Sequence, residues 1–214
     1  MGNSYISCDS KLKVNEVFYS LQGEGSRCGE PSVFIRLTGC SAKHACFKSG
    51  VVCDTEFESG YNISIKEIKE YISKFGCDWI VWSGGEPLDQ LTEEIVDYFK
   101  FRDCYKQAIE TSGIRQPPNN LDWVVLSPKI AEHAILKKWM IRRNVGVHCD
   151  ELRWVRKHKQ EIPNTKILAH KYYISPHFDG DQINSKNTEW CIELCLENPK
   201  WFLSVQQHKL WQIR

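Results

Sequence analysis

The sequence predicts an α/β fold, in which a mainly parallel sheet forms an incomplete (β/α) barrel. Short β-rich segments alternate with segments of helical periodicity, which is typical of strand–helix units. Polar, glycine-bearing segments directly follow several strands, as at the mouth of a parallel barrel, where active sites lie. The chain has 214 residues, fewer than the about 250 of a full eight-unit barrel. No repeat or low-complexity linker divides it, so we expect a single domain over residues 1–214.

The first half of the chain predicts three strands and two helices. We expect strands at 14–21, 32–37 and 78–82. The first helix begins with a Ser-x-x-Glu capping box, Ser64 to Glu67, and carries an apolar stripe as far as Phe75. The second helix is predicted around 91–99, where apolar residues again recur at helical spacing.

The second half continues the alternation of strands and helices. Strands are expected at 106–110, 123–126, 152–155, 166–173 and 201–205, and a helix at 188–197. Cys191 and Cys195 stand four residues apart on the apolar face of that helix, which indicates a structural role for both.

Composition excludes several classes of function. The 28 basic and 27 acidic side chains leave a net charge of +1, which gives no electrostatic footprint for nucleic acid or an anionic membrane. No apolar run is long enough to span a bilayer, and residues 1–10 lack a signal-peptide core. We therefore expect a cytoplasmic protein whose ten cysteines are free thiols.

Three of these cysteines crowd one loop after the strand predicted at 32–37. Cys40, Cys46 and Cys53 offer three thiolates, which suit an iron–sulfur cluster and a zinc ion alike. His44 lies between them and could complete a zinc site. The loop alone does not separate the two kinds of metal centre.

A second motif, Gly84-Gly85-Glu86-Pro87, follows the strand predicted at 78–82. Its glycines let backbone approach a ligand closely, and Glu86 can accept a hydrogen bond from an amino group. A cysteine loop followed by this motif resembles the radical S-adenosylmethionine superfamily. The resemblance implies a [4Fe–4S] cluster on Cys40, Cys46 and Cys53, whose fourth iron binds the amino and carboxylate groups of S-adenosylmethionine.

Six further segments, in order along the chain, resemble the 7-carboxy-7-deazaguanine synthase family. They are Asn-Glu-Val-Phe-Tyr-Ser-Leu-Gln-Gly-Glu-Gly at 15–25, Val-Phe-Ile-Arg-Leu-Thr-Gly-Cys at 33–40, Cys-Asp-Thr at 53–55, Glu-Thr-Ser-Gly at 110–113, Ser-Pro-Lys at 127–129 and Gln-His-Lys at 207–209. Each segment is short, but their common order over nearly the whole chain is specific.

The resemblance implies a lyase of 7-deazapurine (queuosine- or archaeosine-type) biosynthesis. Its reaction converts 6-carboxy-5,6,7,8-tetrahydropterin to 7-carboxy-7-deazaguanine with release of ammonia, after the 5′-deoxyadenosyl radical takes a hydrogen atom from C6. The family also implies Mg²⁺ held by Thr55, a homodimer, and a reducing partner such as flavodoxin or ferredoxin.

The same matching implies two sets of binding residues. The residues expected at S-adenosylmethionine are Val52, Cys53, Asp54, Gly85, Glu86, Ser112, Ser127, Pro128 and Lys129. The residues expected at the pterin are Leu21, Gln22, Gly23, Arg36, Ser83 and His208. Arg36 would pair with the substrate carboxylate, because a planar guanidinium offers two parallel donors.

The cysteine loop departs from the family pattern. Five and six residues separate its cysteines, where the superfamily usually has three and two. Cys46 is assigned because no other thiol lies between Cys40 and Cys53, and Cys28 is the fallback ligand. Two other functions stay open: a radical activase that forms a glycyl radical on a partner enzyme, and a zinc-stabilised binding module without catalysis.

Overall fold

The computed structural model describes residues 6–48, 53, 55–139 and 148–214. Its described strands form one sheet in the order β3-β1-β2-β4-β5-β6-β7-β8-β9. The strands are β1 (Lys11–Leu21), β2 (Pro31–Leu37), β3 (Tyr61–Ser64), β4 (Trp79–Gly84), β5 (Lys106–Thr111), β6 (Trp123–Leu126), β7 (Cys149–Arg156), β8 (Ala169–Pro176) and β9 (Trp201–Leu203).

Six helices accompany the sheet in the described part of the chain. They are α1 (Lys43–Lys48), α2 (Ile65–Ile72), α3 (Glu93–Asp103), α4 (Glu132–Lys138), α5 (Ser185–Glu197) and α6 (Gln207–Trp211). Within these same residues, no helix is both long and apolar enough to cross a membrane.

The sheet is parallel from β2 to β9, and β1 runs antiparallel to both β2 and β3. Strands β3 and β9 are the two edges of the order, so the described sheet is open rather than closed. The predicted α/β fold with a mainly parallel, incomplete barrel is therefore confirmed.

The two faces of the sheet differ in chemistry because successive side chains of a strand point to opposite sides. On one face, Ile35, Trp82 and Ile109 are fully buried and belong to the core that includes Ile68 of α2 and Phe99 of α3. The neighbouring strand positions form what we call the polar face, which carries Arg36, Ser83, Glu110, Glu151 and Arg153. Charged groups on central strands mark this face as the candidate site.

The local sequence signals are largely confirmed. Ser64 and Glu67 form the predicted capping box of α2, and a 3₁₀ turn continues this helix to Phe75. Cys191 is fully buried on α5, with Cys195 packed against the same core, as expected for structural thiols.

The predicted strand at 166–173 is displaced, since β8 spans Ala169–Pro176. The hydroxyl of Tyr172 accepts from the amide of Ala169 (3.1 Å) and donates to the carbonyl of Ile167 (3.2 Å). These bonds fold the segment before Ala169 onto a side chain. The β-rich composition of residues 166–173 predicted a strand there and gave no sign of these hydrogen bonds to Tyr172.

Candidate active site

Four adjacent parallel strands, β2, β4, β5 and β6, bring their carboxyl ends together. These ends lead into Gly39–Cys40, Gly84–Glu86, Ser112–Gly113 and Ser127–Lys129. Backbone hydrogen bonds join them laterally, because the amide of Glu86 donates to Gly39 O (3.0 Å) and that of Ser127 to Thr111 O (2.9 Å). Segments that are far apart in sequence thus form one rim of the sheet.

The two glycines after β4 allow the close contact between this rim and the cysteine loop. A Cβ on Gly85 would lie 2.7 Å from Cβ of Cys40 and closer still to the carbonyl oxygen of Gly39. Gly84 has a φ of +130°, and a Cβ there would meet the backbone of Leu37. Only glycine fits at these two positions without a shift of the backbone.

The three predicted cluster ligands lie close enough for Cys46 and Cys53 to affect the pKa of Cys40, but as described they do not form a three-cysteine metal site. Burial, together with the charges of Glu86, Cys46 and Cys53, raises the pKa of Cys40 to about 11. Within the described ranges, no group of three or more histidine, cysteine, aspartate or glutamate side chains is placed to hold a metal ion. This applies equally to the cluster and to the zinc site that would add His44.

The donor set nevertheless fits an iron–sulfur cluster. Thiolates are the ligands that such clusters take, and bound iron would stabilise the ionised form of Cys40 that burial disfavours. Cys46 lies on α1, which has no buried side chain, so moving this helix towards Cys40 would not open the core. The fallback ligand Cys28 lies near Glu24 and Arg153, apart from the cysteine loop. Burial and the charge of Glu24 raise its pKa, and the charge of Arg153 opposes this rise.

Glu86 lies at the centre of the rim and is almost fully buried. One carboxylate oxygen accepts from Thr111 Oγ1 (2.7 Å) and from the amide of Leu88 (3.1 Å). The other accepts from the amide of Ser112 (2.9 Å) and from the hydroxyl of the same residue. Glu86 therefore ties the end of β4 to the end of β5. Both of its oxygens already have protein donors at the position where the sequence predicts a cofactor contact.

Three more of the residues predicted at S-adenosylmethionine, Ser127, Pro128 and Lys129, lie along the same rim after β6. Lys129 donates to Ser127 Oγ (3.2 Å). Burial raises the pKa of Cys46, and the positive charge of Lys129 opposes this rise. Pro128, which stands between Ser127 and Lys129 in the sequence, is buried. Cys53 is exposed. Val52 and Asp54 lie outside the described residues.

A cavity of about 650 Å³ opens on the polar face, next to the rim. All six residues predicted at the pterin line it, namely Leu21, Gln22, Gly23, Arg36, Ser83 and His208. Thr55, the predicted Mg²⁺ ligand, lines it as well. The six predicted pterin residues come from β1, the loop after it, β2, β4 and α6. The structure therefore brings the predicted substrate residues into one cavity of the size of a small-molecule site.

Two groups of contacts lie in the cavity wall. Arg36 forms an ion pair with Glu16, whose second oxygen also binds Arg214 at 2.5 Å. A Cβ on Gly23 would lie 2.7 Å from Cγ of His208, so the loop after β1 and α6 touch. The amide of Gln207 donates to Gly23 O (3.0 Å), which fixes this contact.

The sequence did not single out several charged residues at this site. Glu16, Glu24, Glu110, Asp181 and Lys209 also line the cavity. Burial raises the pKa of Glu110, with further increases from the charges of Glu24 and Glu151, whereas Arg153 opposes the shift. The sequence offered one signal for Glu110, which is a glutamate at the end of the otherwise β-rich segment 106–110.

An open parallel sheet with three cysteines and Gly-Gly-Glu-Pro at its carboxyl ends defines the class of radical S-adenosylmethionine enzymes. No protein-family model matches the chain. Curated relatives narrow the class: "7-carboxy-7-deazaguanine synthase" of Bacteroides thetaiotaomicron is 35% identical and is aligned over 94% of this chain and 98% of its own. The proteins of the same name from Bradyrhizobium diazoefficiens and Haemophilus influenzae are each 32% identical, over 94% and 96% of this chain and 98% and 96% of theirs.

The chain belongs to the 7-carboxy-7-deazaguanine synthase family, as its motifs predict. A solved structure supports the fold: a crystal structure of QueE from Escherichia coli aligns with a TM-score of 0.63, covering 91% of this chain and 93% of that one. The sequence identity to that protein is 22%.

Proposed function

We propose that the cavity on the polar face binds 6-carboxy-5,6,7,8-tetrahydropterin, and that the chain converts it to 7-carboxy-7-deazaguanine with release of ammonia. The observation that carries the proposal is the convergence of six predicted residues from five parts of the fold on one cavity. The curated relatives are named for this synthase. No net oxidation is needed, because the atoms of the pterin equal those of the product plus ammonia.

Each lining group has a role that its chemistry suits. Arg36 binds the substrate carboxylate through its guanidinium, in competition with its ion pair to Glu16. Gln22 and Ser83 offer hydrogen bonds to the ring, while Leu21 and Gly23 shape its surroundings. His208 closes the cavity from α6, against the loop after β1.

We propose that the neighbouring rim binds a [4Fe–4S] cluster at Cys40, Cys46 and Cys53, with S-adenosylmethionine beside it. When bound, these groups would supply the 5′-deoxyadenosyl radical that takes a hydrogen atom from C6 of the pterin, and the resulting 5′-deoxyadenosine would return one hydrogen atom, so that no net oxidation occurs. The protein's part is to hold the two reacting carbons close and to exclude water. Support comes from Gly85, which packs against Cys40, and from Lys129, whose charge acts on Cys46.

Thr55 is the proposed protein ligand of Mg²⁺. It lines the cavity, and its hydroxyl is a hard oxygen donor of the kind that Mg²⁺ takes. The remaining positions of an octahedral ion would be filled by water and the substrate.

We further propose a homodimer, a cytoplasmic location and a flavodoxin or ferredoxin as the electron donor. Exposed Phe202 and Leu203 on the edge strand β9 offer apolar surface for a second copy. All ten cysteines are free thiols, as in a reducing compartment.

The test is turnover by anaerobically reconstituted protein. Incubation with the carboxytetrahydropterin, S-adenosylmethionine, Mg²⁺ and dithionite should yield 7-carboxy-7-deazaguanine, identified by mass spectrometry. Protein with a full complement of iron and sulfide that releases 5′-deoxyadenosine but no deazaguanine acid would contradict the proposal.

A further inference from the structure

A buried ion cluster lies behind the cavity, between the loop after β1 and strands β5 and β7. Its centre is Arg153, whose Nη1 lies 2.6 Å from Glu24 Oε2 and 3.8 Å from Glu110 Oε1. Nη2 of the same guanidinium lies 3.1 Å from Glu151 Oε2. The side chains of Arg153 and Glu151 are 6% and 1% exposed. One buried arginine therefore joins carboxylates from three elements.

Stability alone does not explain this cluster. Desolvating charges costs several kcal/mol per ion, and well-packed apolar side chains of similar volume are often at least as stabilising. Three carboxylates around one guanidinium also leave an excess of negative charge, which the nearby Arg27 offsets only in part. What such a network supplies is one defined arrangement of polar groups.

The arrangement fixes the loop that carries the predicted substrate residues. Glu151 Oε1 accepts from the amide of Ser26 (3.0 Å) and from Trp123 Nε1 (2.9 Å). A Cβ on Gly25 would lie 2.6 Å from Arg153 Nη2 and closer still to Glu151 Oε2. The loop therefore lies directly on the ion cluster, with no space between.

Hydrogen bonds continue from the cluster to the cavity wall. Gln22 Nε2 donates to Glu110 Oε1 (3.1 Å), and Gln22 Oε1 accepts from the amide of Glu24 (3.1 Å). Both ends of the Gln22 amide are thus oriented by partners of Arg153. Arg153 and Glu151 themselves are not among the described residues that line the cavity.

We propose that Arg153, braced by Glu151, is a positioning residue for pterin recognition, which acts through Glu24 and Glu110 to orient Gln22. This inference rests on the proposed function of the cavity. A pterin ring presents a rigid, planar set of donors and acceptors. Protein groups held in place before binding recognise such a ring without losing conformational freedom on binding.

The discriminating variant is Arg153→Lys. It keeps the positive charge among the carboxylates, but a single ammonium group lacks the planar fork that bridges Glu24 and Glu151. Anaerobic calorimetric titration without reductant measures binding in the absence of turnover. The Kd of the pterin should rise at least tenfold, while the Kd of S-adenosylmethionine and the iron content stay within twofold of wild type.

Steady-state kinetics provide a second readout. KM for the pterin should rise with a smaller change in kcat, because groups that bind before the chemical step have been displaced. The matched control is Lys100→Met, which removes the ion pair of Lys100 with Asp122 (2.8 Å) and does not touch the loop after β1. It should lower thermal stability and leave both dissociation constants unchanged.

Three results would overturn the inference. The first is a pterin Kd within twofold of wild type in Arg153→Lys, and the second is an equal weakening for pterin and S-adenosylmethionine. If Arg153→Lys fails to fold, Glu151→Gln replaces it. This variant keeps an oxygen that accepts from Ser26 and Trp123, but it should still weaken pterin binding selectively. Unchanged pterin binding in Glu151→Gln would be the third result. Absence of pterin binding by the wild type would instead contradict the proposed function.

Discussion

Glu110 has a titratable proton on a side chain that is partly buried in the cavity wall. Its pKa is raised from the ordinary value of 4.5, because desolvation disfavours the charged form and Glu24 and Glu151 lie near. The folded state therefore binds this proton more tightly than the unfolded chain does. The corresponding stability is present below pH 4.5 and is lost as pH rises through the folded pKa.

Glu110→Gln should remove this pH dependence. The amide stays neutral, so the melting temperature of the variant minus that of wild type should increase as pH is raised from about 4.5. Thermal unfolding of cofactor-free protein between pH 4.5 and 8 measures the difference. A difference that is constant over this range would show that Glu110 ionises normally.

Gly85→Ala should damage the cofactor rim. The new Cβ would overlap Gly39 and Cys40, and relieving such a clash costs about 1–3 kcal/mol and moves the cysteine. We expect a reduced iron content after reconstitution and loss of S-adenosylmethionine binding. Gly76→Ala is the control for a general loss of stability, since its φ of +58° strains an alanine but nothing lies within 4 Å of its Cβ position. Equal iron content in both variants would contradict the assigned contact.

Motif order predicted which residues meet at one cavity, while their roles there stay predictions. Leu21 to Gly23, Arg36, Ser83 and His208 were assigned from motifs, and all line the cavity. The partners of Arg153 could not be found in this way, because Arg153 and Glu24 are 129 positions apart in the sequence. Such contacts depend on strand order and register, which no local spacing encodes.

At the scale of elements, α2 is the clearest case of structure set by local sequence. Ser64 and Glu67 each satisfy a backbone amide of the other residue, and Ile65, Ile68 and Ile72 are fully buried. The periodicity and the capping box therefore agree with the tertiary contacts.

Ser64→Ala should destabilise the protein by about 1 kcal/mol, because Glu67 loses a capping partner for its amide. Chemical denaturation measures the change, and pterin turnover should be unaffected since α2 contributes nothing to the cavity lining described above. Ser73→Ala is the matched control, because the Ser73 hydroxyl donates to Glu70 O at an exposed position. A similar loss in both variants would argue against the cap.

Elements without such signals were missed. Helix α1 has six residues and no buried side chain, and β3 has four residues at the sheet edge. Their sequences are too short for a periodicity to be recognised. The short helix α6 was missed for the same reason, although its His208 was assigned from a motif.

At the scale of the whole molecule, parallel strand order joins two sites. The carboxyl ends of β2, β4, β5 and β6 form the rim that carries Cys40 and Gly85, and the cavity with Arg36 and Ser83 opens on the same strands. The reaction therefore requires that a cofactor bound at the rim reach a substrate bound in the cavity. Neither site would explain the ring contraction by itself.

The most direct measurement of this requirement follows one hydrogen atom. Reconstituted protein is supplied with S-adenosylmethionine, reductant and carboxytetrahydropterin deuterated at C6, and the 5′-deoxyadenosine is analysed by mass spectrometry. We predict that deuterium appears in the 5′-deoxyadenosine as 7-carboxy-7-deazaguanine accumulates. Product formation with 5′-deoxyadenosine that contains no deuterium would contradict the account.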